Sequence, residues 1–369
     1  MSKKLLVFCG GYLIGGQEIV TLNYLKELIT LGVQIHCITN AWGNGDFEKR
    51  LKDLRIPFTS IKLGFIYPRK PVWTLETIFF LPRAIKEIKK IISVFQPNAF
   101  YHTSFRTIYM LQFFLKVKHI LHVHENISKT FFNKYILKSI NKNTKKFIAV
   151  SNVTKDHLIL CGIDESKIEV LHNGTEIIPL PQHTLKQKSY KFGLVGQIAP
   201  HKGHDLVVEA MALLKQKDVY FNLKVFGQGA QDYIDKLKEK IEEYDLVDYI
   251  EWKGFINNID DIYSNIDILL FPTITLESFG MGIIEAGVRG VPCLATQAGG
   301  LAEIIDHNYN GWLFYKKDVS DLVSKIEATM KKNCDLTDII KNNYNRISAK
   351  FDIKKQASQL KSIIFDLHN

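Results

Sequence analysis

The chain of 369 residues is too long for one ordinary domain, and a domain size of roughly 150–200 residues predicts two. Its 46% hydrophobic and 23% charged residues exclude an intrinsically disordered chain. The net charge of +10 lies in the first half, where residues 1–180 hold 25 Lys and Arg against 13 Asp and Glu. A basic half indicates an anionic partner, which by charge alone is nucleic acid, anionic lipid or a phosphorylated ligand.

The cysteines and the N-terminus indicate the compartment. Five scattered cysteines without a CxxC pair argue against a disulfide framework or a zinc site, and they predict a reducing cytoplasm. The apolar run after the basic N-terminus spans only about five residues, which is too short for a signal peptide. No stretch approaches the roughly 20 apolar residues that cross a bilayer. We therefore expect a cytoplasmic protein.

Short apolar runs, typical of parallel strands buried on both faces, alternate with helical patterns from end to end. A helical face over residues 16–31 follows the first strand. This alternation predicts right-handed βαβ units in doubly wound parallel sheets, an α/β fold. The predicted strands are KLLVFCG, VQIHCIT, NAFYHTS, HILHVHE, KFIAVS, IEVLHNG, KFGLVG, FNLKVFG, YIEWKG, DILLFP, VPCLAT and GWLFY.

Pro179 and Pro181, with the polar stretch that follows them, predict a domain boundary. We expect an N-terminal domain over residues 1–180 and a C-terminal domain over residues 181–350. The last segment, residues 351–369, is expected to form an amphipathic helix that packs back toward the N-terminal domain.

Ligands of open α/β sheets bind beyond the carboxyl ends of the strands, so the turns after strands are candidate sites. Gly15 and Gly16 open the first helix and would let backbone N–H groups approach an anion, with a flexible turn as the alternative. Their spacing from Gly10 and Gly11 does not fit G-x-G-x-x-G, which argues against NAD.

The second half repeats this pattern. Gly196 ends a strand, and Lys202 precedes a helix, where a cation opposes the helix dipole unless an anion is bound. Lys202 is therefore a candidate phosphate ligand, against the alternative of a solvated lysine. Gly227, after the next strand, indicates a close approach of the backbone to another group.

The stretch TLESFGMGIIEAGVRGVP places two glutamates around a helix that begins near residues 279–280. Glu277 is expected in the loop and Glu285 inside the helix. Backbone N–H groups near Gly280 and Gly282 suit a phosphate, and a carboxylate accepts hydrogen bonds from vicinal hydroxyls. The pair suits a nucleotide sugar; a glycosidase acid–base pair and ordinary solvated surface are the alternatives.

His122 and His124 alternate with Val123 in a buried strand and therefore share a face. A hydrogen-bonding or catalytic histidine is expected there, with a purely structural role as the alternative. A zinc pair lacks an evident third ligand. The chain contains no D-x-D triplet, P-loop or G-x-S-x-G motif.

Two segments, residues 66–95 and 128–146, mix Lys and Arg with aromatic residues. They predict a surface for an anionic membrane, or else a core of aromatics with a rim of solvated lysines.

Taken in order, several motifs resemble the large retaining glycosyltransferase family 4, the bacterial group 1 glycosyltransferases, over nearly the whole chain. The most specific is a Glu-x7-Glu element followed by Gly-Val-Pro and Gly-Gly-x-x-Glu. The resemblance implies the GT-B fold, in which two Rossmann-like domains face each other across a cleft without a catalytic metal. The motifs are GGQE, HVHE, FIAVSNVTKDHL, GIDESKIEVLHNGTE, VGQIAPHKGHDLVVEAM, VFGQG, ESFGMGIIEAGVRGVPCLAT and GGLAEII.

The resemblance also implies residue roles. Glu285 is expected to bind the donor ribose and Glu277 the transferred sugar. Lys202 is expected to meet the diphosphate, helped by Gly15 and Gly16 from across the cleft, and His124 to lie beside the anomeric centre. Many family members have arginine where this chain has Gln197, so either Lys202 and the helix N-termini suffice for the phosphate or another basic residue substitutes for that arginine. Further expected donor contacts are Gly196, Gln197, Gly227, Ser278, Phe279, Gly280, Met281 and Gly282, and expected acceptor contacts are His122, Glu125 and Asn173.

The implied activity is the retaining transfer of a sugar from a nucleotide-diphosphate sugar to a glycan or lipid-linked acceptor. A UDP-linked sugar is favoured as the donor, and a GDP-linked sugar is the alternative. A role in bacterial surface polysaccharide or lipopolysaccharide synthesis, on the inner face of the cytoplasmic membrane, would follow. No metal and no nucleic acid partner is expected. The alternatives are a nucleotide-sugar epimerase or hydrolase of the same architecture and a non-catalytic, basic nucleic-acid-binding protein.

Overall fold

The computed structural model of the chain describes residues 3–11, 14–63, 66, 71–181, 190–331 and 336–366. Most of the polar stretch after Pro181, the basic residues Arg69 and Lys70, and Cys334 lie outside these ranges. The chain divides into two compact units. Unit 1 comprises Met1–Gly174 with Ile353–Asn369, and unit 2 comprises Thr175–Asp352.

Unit 1 is built on a seven-stranded parallel sheet with the strand order β3-β2-β1-β4-β5-β6-β7. Its strands are β1 (Lys4–Phe8), β2 (Gln34–Asn40), β3 (Phe58–Ile61), β4 (Ala99–His102), β5 (His119–Val123), β6 (Thr144–Ala149) and β7 (Ile168–Val170). Its first helices are α1 (Gly16–Thr30), α2 (Asp46–Asp53), α3 (Pro71–Phe95), α4 (Phe105–Leu111), α5 (Phe131–Ile140) and α6 (Asn152–Leu160).

Helices α3, α4 and α5 cover the same face of this sheet. The chain runs outward from β1 to β3 and then returns past β1 to β4, so right-handed crossovers place the later helices opposite α1 and α2. The core shows the same arrangement. Leu6 and Phe8 of β1 share a cluster with Ile88 of α3 and Leu111 of α4. Further α4 residues join Ile136 of α5 in the neighbouring cluster.

Unit 2 has a six-stranded parallel sheet with the order β10-β9-β8-β11-β12-β13. The strands are β8 (Lys191–Val195), β9 (Asn222–Phe226), β10 (Ile250–Gly254), β11 (Ile268–Phe271), β12 (Cys293–Thr296) and β13 (Trp312–Phe314). The helices are α7 (His204–Lys215), α8 (Gln231–Glu243), α9 (Ile259–Tyr263), α10 (Met281–Gly287), α11 (Leu301–Ile304), α12 (Val319–Lys331) and α13 (Thr337–Lys350).

The final helix, α14 (Ile353–Phe365), belongs to unit 1 and packs against α1. The Lys361 ammonium donates a hydrogen bond to the Leu31 carbonyl oxygen at 2.7 Å. Gly174 lies so close to this helix that a Cβ there would stand 2.6 Å from the Cα of Ile353. The last segment of the chain is therefore built into the first unit.

The prediction of two doubly wound parallel sheets is confirmed, and all twelve predicted strands are present. Among the described residues, the strand that was not predicted is β3, a four-residue edge strand that follows Pro57 and contains Thr59 and Ser60. An edge strand does not need the continuous apolar run that marks strands buried on both faces.

Candidate active site

In unit 2, Lys202 and Glu277 come from separate turns and meet at the carboxyl edge of the sheet. Lys202 ends a 3-10 turn (Pro200–Lys202) after β8, and Glu277 lies in the loop after β11. The Lys202 Nζ atom lies 2.6 Å from Glu277 Oε1, and the two side chains are 28% and 17% exposed. They therefore form a partly buried ion pair that remains accessible to a ligand.

Gly203 explains how Lys202 is brought to this position. Its φ of +75° is in the left-handed region, and a Cβ there would lie 1.9 Å from the Pro272 carbonyl oxygen. Glycine therefore lets the loop after β8 lie directly on the end of β11. The backbone N–H of Ile274 donates to the His201 carbonyl oxygen at 3.0 Å, which further joins the two loops.

Glu277 is held from its other side by two glycines. Its carbonyl oxygen accepts a hydrogen bond from the Gly300 N–H at 2.9 Å. A Cβ at Gly299 would lie 2.2 Å from that same oxygen, and one at Gly300 would lie 2.5 Å from the Ser278 carbonyl oxygen. The Gly-Gly-x-x-Glu motif therefore positions the glutamate loop by close backbone packing.

The residues between the two glutamates have different surroundings. Gly280 precedes the first turn of α10 with φ of +123°, and Met281 and Gly282 are half-buried in that turn. Ser278 is also half-buried. Phe279, however, is a core residue whose ring packs edge-on against Phe351 at 5.5 Å. A contact from Phe279 to a ligand would have to come from its backbone.

Glu285 lies inside α10, half-buried, as the sequence predicts. Burial raises the pKa of its carboxyl, and the nearby Arg289 guanidinium opposes that shift. Arg289 is anchored by a hydrogen bond from Nε to Asp260 at 2.6 Å and another to the Glu285 carbonyl oxygen at 3.0 Å. Sequence reasoning missed Arg289, although it lies only four residues after Glu285, in the turn that follows α10.

Of the remaining glycines of the expected donor site, Gly196 has a φ of +135° with open space around it, whereas Gly227 is packed closely against backbone. A Cβ at Gly227 would lie 1.8 Å from the Gly196 carbonyl oxygen. The close approach that Gly227 indicates is therefore made to the neighbouring loop. Gln197 is exposed directly after Gly196.

In unit 1, one backbone N–H at the start of α1 has a partner within the chain. Gly15 precedes the helix, Gly16 begins it, and both are exposed. The Gly15 N–H donates to Glu18 Oε2 at 3.0 Å, so this N–H already has an anionic partner. Burial raises the pKa of the Glu18 carboxyl. The GGQE spacing, with an acid three residues after Gly15, was the available signal for this helix cap.

His122 and His124 share a face as predicted, with ring centroids 4.1 Å apart. His122 is fully buried, and its Nδ1 lies 2.5 Å from the Tyr101 hydroxyl. His124 follows the last residue of β5 and is 9% exposed. Burial lowers the pKa of His124 to about 3, which makes its imidazole neutral near pH 7.

Two more buried histidines, which the sequence analysis did not single out, form a hydrogen-bond chain between β4 and β5. The Thr107 hydroxyl donates to the Ser104 carbonyl oxygen at 2.7 Å, so it accepts from His102 Nδ1 at 2.8 Å. His102 Nε2 then accepts from His119 Nδ1 at 2.9 Å. The His102 imidazole, which donates through one nitrogen and accepts through the other, is therefore neutral, and burial lowers the pKa of both histidines.

A pocket of about 440 Å3 opens at the carboxyl edge of the unit 1 sheet. Its lining combines carboxylates, an arginine and an indole, namely Glu18, Glu125, Arg106 and Trp73, with neighbouring threonines. Asn173 is buried after β7, and its Oδ1 forms no hydrogen bond within the described residues. Within the same residues, no group of three or more His, Cys, Asp or Glu side chains is arranged to hold a metal ion.

Comparison with known families assigns both halves of the chain. The model described as Glycosyltransferase Family 4 matches residues 14–177, and the model described as Glycosyl transferases group 1 matches residues 179–346. The chain belongs to the family 4, group 1 glycosyltransferases. This glycosyltransferase is 30% identical over 267 residues to an uncharacterised glycosyltransferase of Methanocaldococcus jannaschii, an alignment that covers 69% of this chain and 70% of the archaeal one.

Two further similarities agree with this family. The glycosyltransferase is 22% identical over 261 residues to a putative colanic acid biosynthesis glycosyltransferase of Escherichia coli, covering 68% of this chain and 64% of that one. The crystal structure of Anabaena HepE in complex with UDP and glucose matches with a TM-score of 0.82 at 19% identity, covering 99% and 100% of the two chains. The predicted GT-B fold is thereby confirmed.

Proposed function

We propose that this glycosyltransferase moves a sugar, with retention, from a nucleotide-diphosphate sugar to a glycan or lipid-linked acceptor in the synthesis of a surface polysaccharide or lipopolysaccharide. The contact between Lys202 and Glu277, with Glu285 on the following helix, is the observation that carries the proposal. The relative named for colanic acid biosynthesis and the neighbour that holds UDP and glucose support it.

Each of the three residues suits one part of the donor. The Glu285 carboxylate accepts hydrogen bonds from the ribose hydroxyls, and Glu277 accepts them from hydroxyls of the transferred sugar. Lys202 and the first turn of α10 bind the diphosphate. Without the arginine that Gln197 replaces, Lys202 would carry most of the positive charge at the phosphate.

The ion pair gives the donor a site whose charges are already balanced. Lys202 and Glu277 neutralise each other at 2.6 Å in the structure. When a donor binds, the phosphate replaces the carboxylate as partner of Lys202, and sugar hydroxyls replace the ammonium as partners of Glu277. Neither group is then left buried without a partner, a state that would otherwise be costly.

Lys202 acts on the bond that breaks. As the anomeric carbon–oxygen bond opens, its electron pair moves onto the β-phosphate oxygen, and the Lys202 ammonium stabilises that charge. The acceptor hydroxyl bonds to the anomeric carbon on the face that the phosphate leaves. Its proton passes to the departing phosphate oxygen. Because the new bond forms on the face that the phosphate leaves, the anomeric configuration is retained.

A donor panel tests this proposal. UDP- and GDP-linked sugars are screened by thermal stabilisation and by released nucleotide, and NMR of the product reports its anomeric configuration. We expect UDP-sugars to stabilise the protein and Lys202→Ala to lower kcat by about 10²–10³-fold. The matched control, Lys236→Ala on the exposed side of α8, should keep the wild-type rate.

Three results would contradict the proposal. A full transfer rate in Lys202→Ala would remove the lysine from the phosphate site. An inverted product would exclude the front-face mechanism. Donor consumption that yields only free sugar or an epimerised nucleotide sugar, whatever acceptor is present, would favour the hydrolase or epimerase alternative.

A further inference from the structure

Helix α3 of unit 1 exposes a large apolar surface. Val72, Leu75, Ile78 and Phe79 are all exposed, and Phe79 retains 79% of its accessible surface. Their spacing of three and four residues places Val72, Leu75 and Phe79 on one side of the helix, with Ile78 at the border of that side. Within unit 1, α3 uses Ala84, Ile85 and Ile88 for its core contacts, so the exposed side is not needed for packing on the sheet.

The following turns of the same helix are basic. Arg83, Lys86, Lys89 and Lys90 are exposed. Of the two acids in α3, Glu76 accepts a hydrogen bond from the Trp42 indole at 2.7 Å, and Glu87 is half-buried. The 25-residue helix is about 37 Å long, and its exposed side therefore changes from apolar to cationic along its length.

A second patch of the same character lies on α5 and on the segment that follows α4, and these two helices cover the same face of the sheet as α3. Phe131 is 88% exposed, and Phe113 and Tyr135 are also exposed. The Tyr109 ring contacts those of Phe113 and Tyr135, with centroids 6.1 and 6.4 Å away. Exposed lysines surround these aromatic residues, namely Lys116, Lys129, Lys134 and Lys138.

We propose that this side of unit 1, defined by the exposed residues of α3, of α5 and of the segment that follows α4, binds the surface of an anionic lipid bilayer. Aliphatic and aromatic side chains enter the boundary between headgroups and acyl chains, while neighbouring lysines and arginines contact anionic headgroups. A polynucleotide would use the cations but has no need of exposed Val, Leu and Ile. Within the described residues no helix is long and apolar enough to cross a membrane, so α3 lies along the surface.

The same helix connects this surface to the unit 1 pocket. Trp73, in the first turn of α3, lines the pocket together with Glu125 and Arg106. A membrane contact through α3 would therefore hold the mouth of the pocket near the headgroups, where the sugar of a lipid-linked acceptor lies. The membrane surface goes beyond the donor chemistry proposed above and does not depend on it.

Vesicle sedimentation tests the surface. The full chain is mixed with vesicles of phosphatidylcholine alone or of equimolar phosphatidylcholine and phosphatidylglycerol. We expect binding to the anionic vesicles, and a loss of at least about tenfold in Lys86→Glu/Lys90→Glu, since each basic residue near an anionic surface adds about fivefold. Leu75→Ser/Phe79→Ser should also weaken binding to the anionic vesicles. The residual binding of this variant should be electrostatic, so added salt should abolish it.

The control is Lys236→Glu/Lys238→Glu on α8, which makes the same change in net charge on exposed residues of unit 2. It should bind like the wild type, and all variants should keep the wild-type circular dichroism spectrum and melting temperature. Equal binding to both vesicle types, or full binding by both α3 variants, would overturn the proposal. The proposal would also be overturned by tighter binding to single-stranded DNA than to anionic vesicles. Self-association in the absence of vesicles, if the α3 variants abolish it, would overturn the proposal as well. None of these outcomes depends on donor turnover, so they are separable from failure of the proposed reaction.

Discussion

Unit 1 should lose a large part of its stability in mild acid because burial disfavours the protonated form of four histidines in the folded state. His102, His119, His122 and His124 are each at most 9% exposed, and burial lowers the pKa of all four. The pKa of His119 falls to about 4 and that of His124 to about 3. In the unfolded chain these groups return to about 6.5 and bind protons once the pH falls below that value.

The size of the effect follows from proton linkage. The unfolded state binds more protons, so stability falls as the pH drops. At pH 5.5 each such histidine costs about 1.4 kcal/mol, and four cost about 6 kcal/mol, against a total of about 5–15 kcal/mol for an ordinary domain. Glu18, whose pKa burial raises, acts in the opposite direction but is one group against four.

Unit 2 is the internal control. Among its described histidines only His204 is buried, with its pKa lowered to about 4, and it costs about 1.4 kcal/mol at pH 5.5. Urea unfolding at pH 8.0 and pH 5.5, followed by hydrogen exchange and mass spectrometry, resolves peptides of the two units. We expect unit 1 to lose about 6 kcal/mol and unit 2 much less. In His119→Gln the pH-dependent loss of unit 1 should shrink by about one quarter.

A change below about 2 kcal/mol in unit 1 between these pH values would refute the reasoning, because it would require the folded state to accept protons on these histidines. An equal loss in both units would also contradict it, since the histidines would then not be the cause.

Two further predictions concern unit 2. In Glu285→Gln, donor binding should weaken by at least about tenfold, whereas the melting temperature at pH 8 should rise. Burial raises the pKa of this carboxyl and so disfavours its charge in the folded state. The gain in melting temperature should shrink as the pH falls, and a lower melting temperature at pH 8 would argue against this reasoning. Gly203→Ala should destabilise unit 2 by about 3 kcal/mol or more, because the new Cβ meets the Pro272 carbonyl. Gly254→Ala, at a similar φ of +66° but with open space around it, should cost only about 1 kcal/mol in urea unfolding, and equal costs would contradict the packing argument.

Several features of the candidate site follow from local sequence and several do not. The loop position of Glu277, the helical position of Glu285 and the turn at Lys202 follow from strand and helix signals within a few residues of each. The contact between Lys202 and Glu277 joins residues 75 positions apart. It depends on where β8 and β11 lie in the sheet, and spacing along the chain does not encode that.

The glycines also show what local sequence leaves undetermined. Sequence reasoning assigned Gly15 and Gly227 to ligands because glycine permits a close approach, but it could not identify the approaching group. The structure shows a Glu18 carboxylate at the Gly15 N–H and the Gly196 carbonyl at Gly227. Close contact between two loops and close contact with a phosphate require the same residue, so the sequence signal is ambiguous.

The sequence by itself determined the class of fold and the family, because strand and helix periodicity and the ordered motifs are local properties of the chain. Tertiary structure alone decided what each side chain contacts. It buried His122 and Phe279, paired Lys202 with Glu277, and gathered His102, His119, His122 and His124 into one unit. It also left the apolar side of α3 exposed. The apolar pattern alone cannot reveal this, because a helix covered by other elements would show the same pattern. Burial and pairing depend on which strands become neighbours, and that is a property of the folded chain.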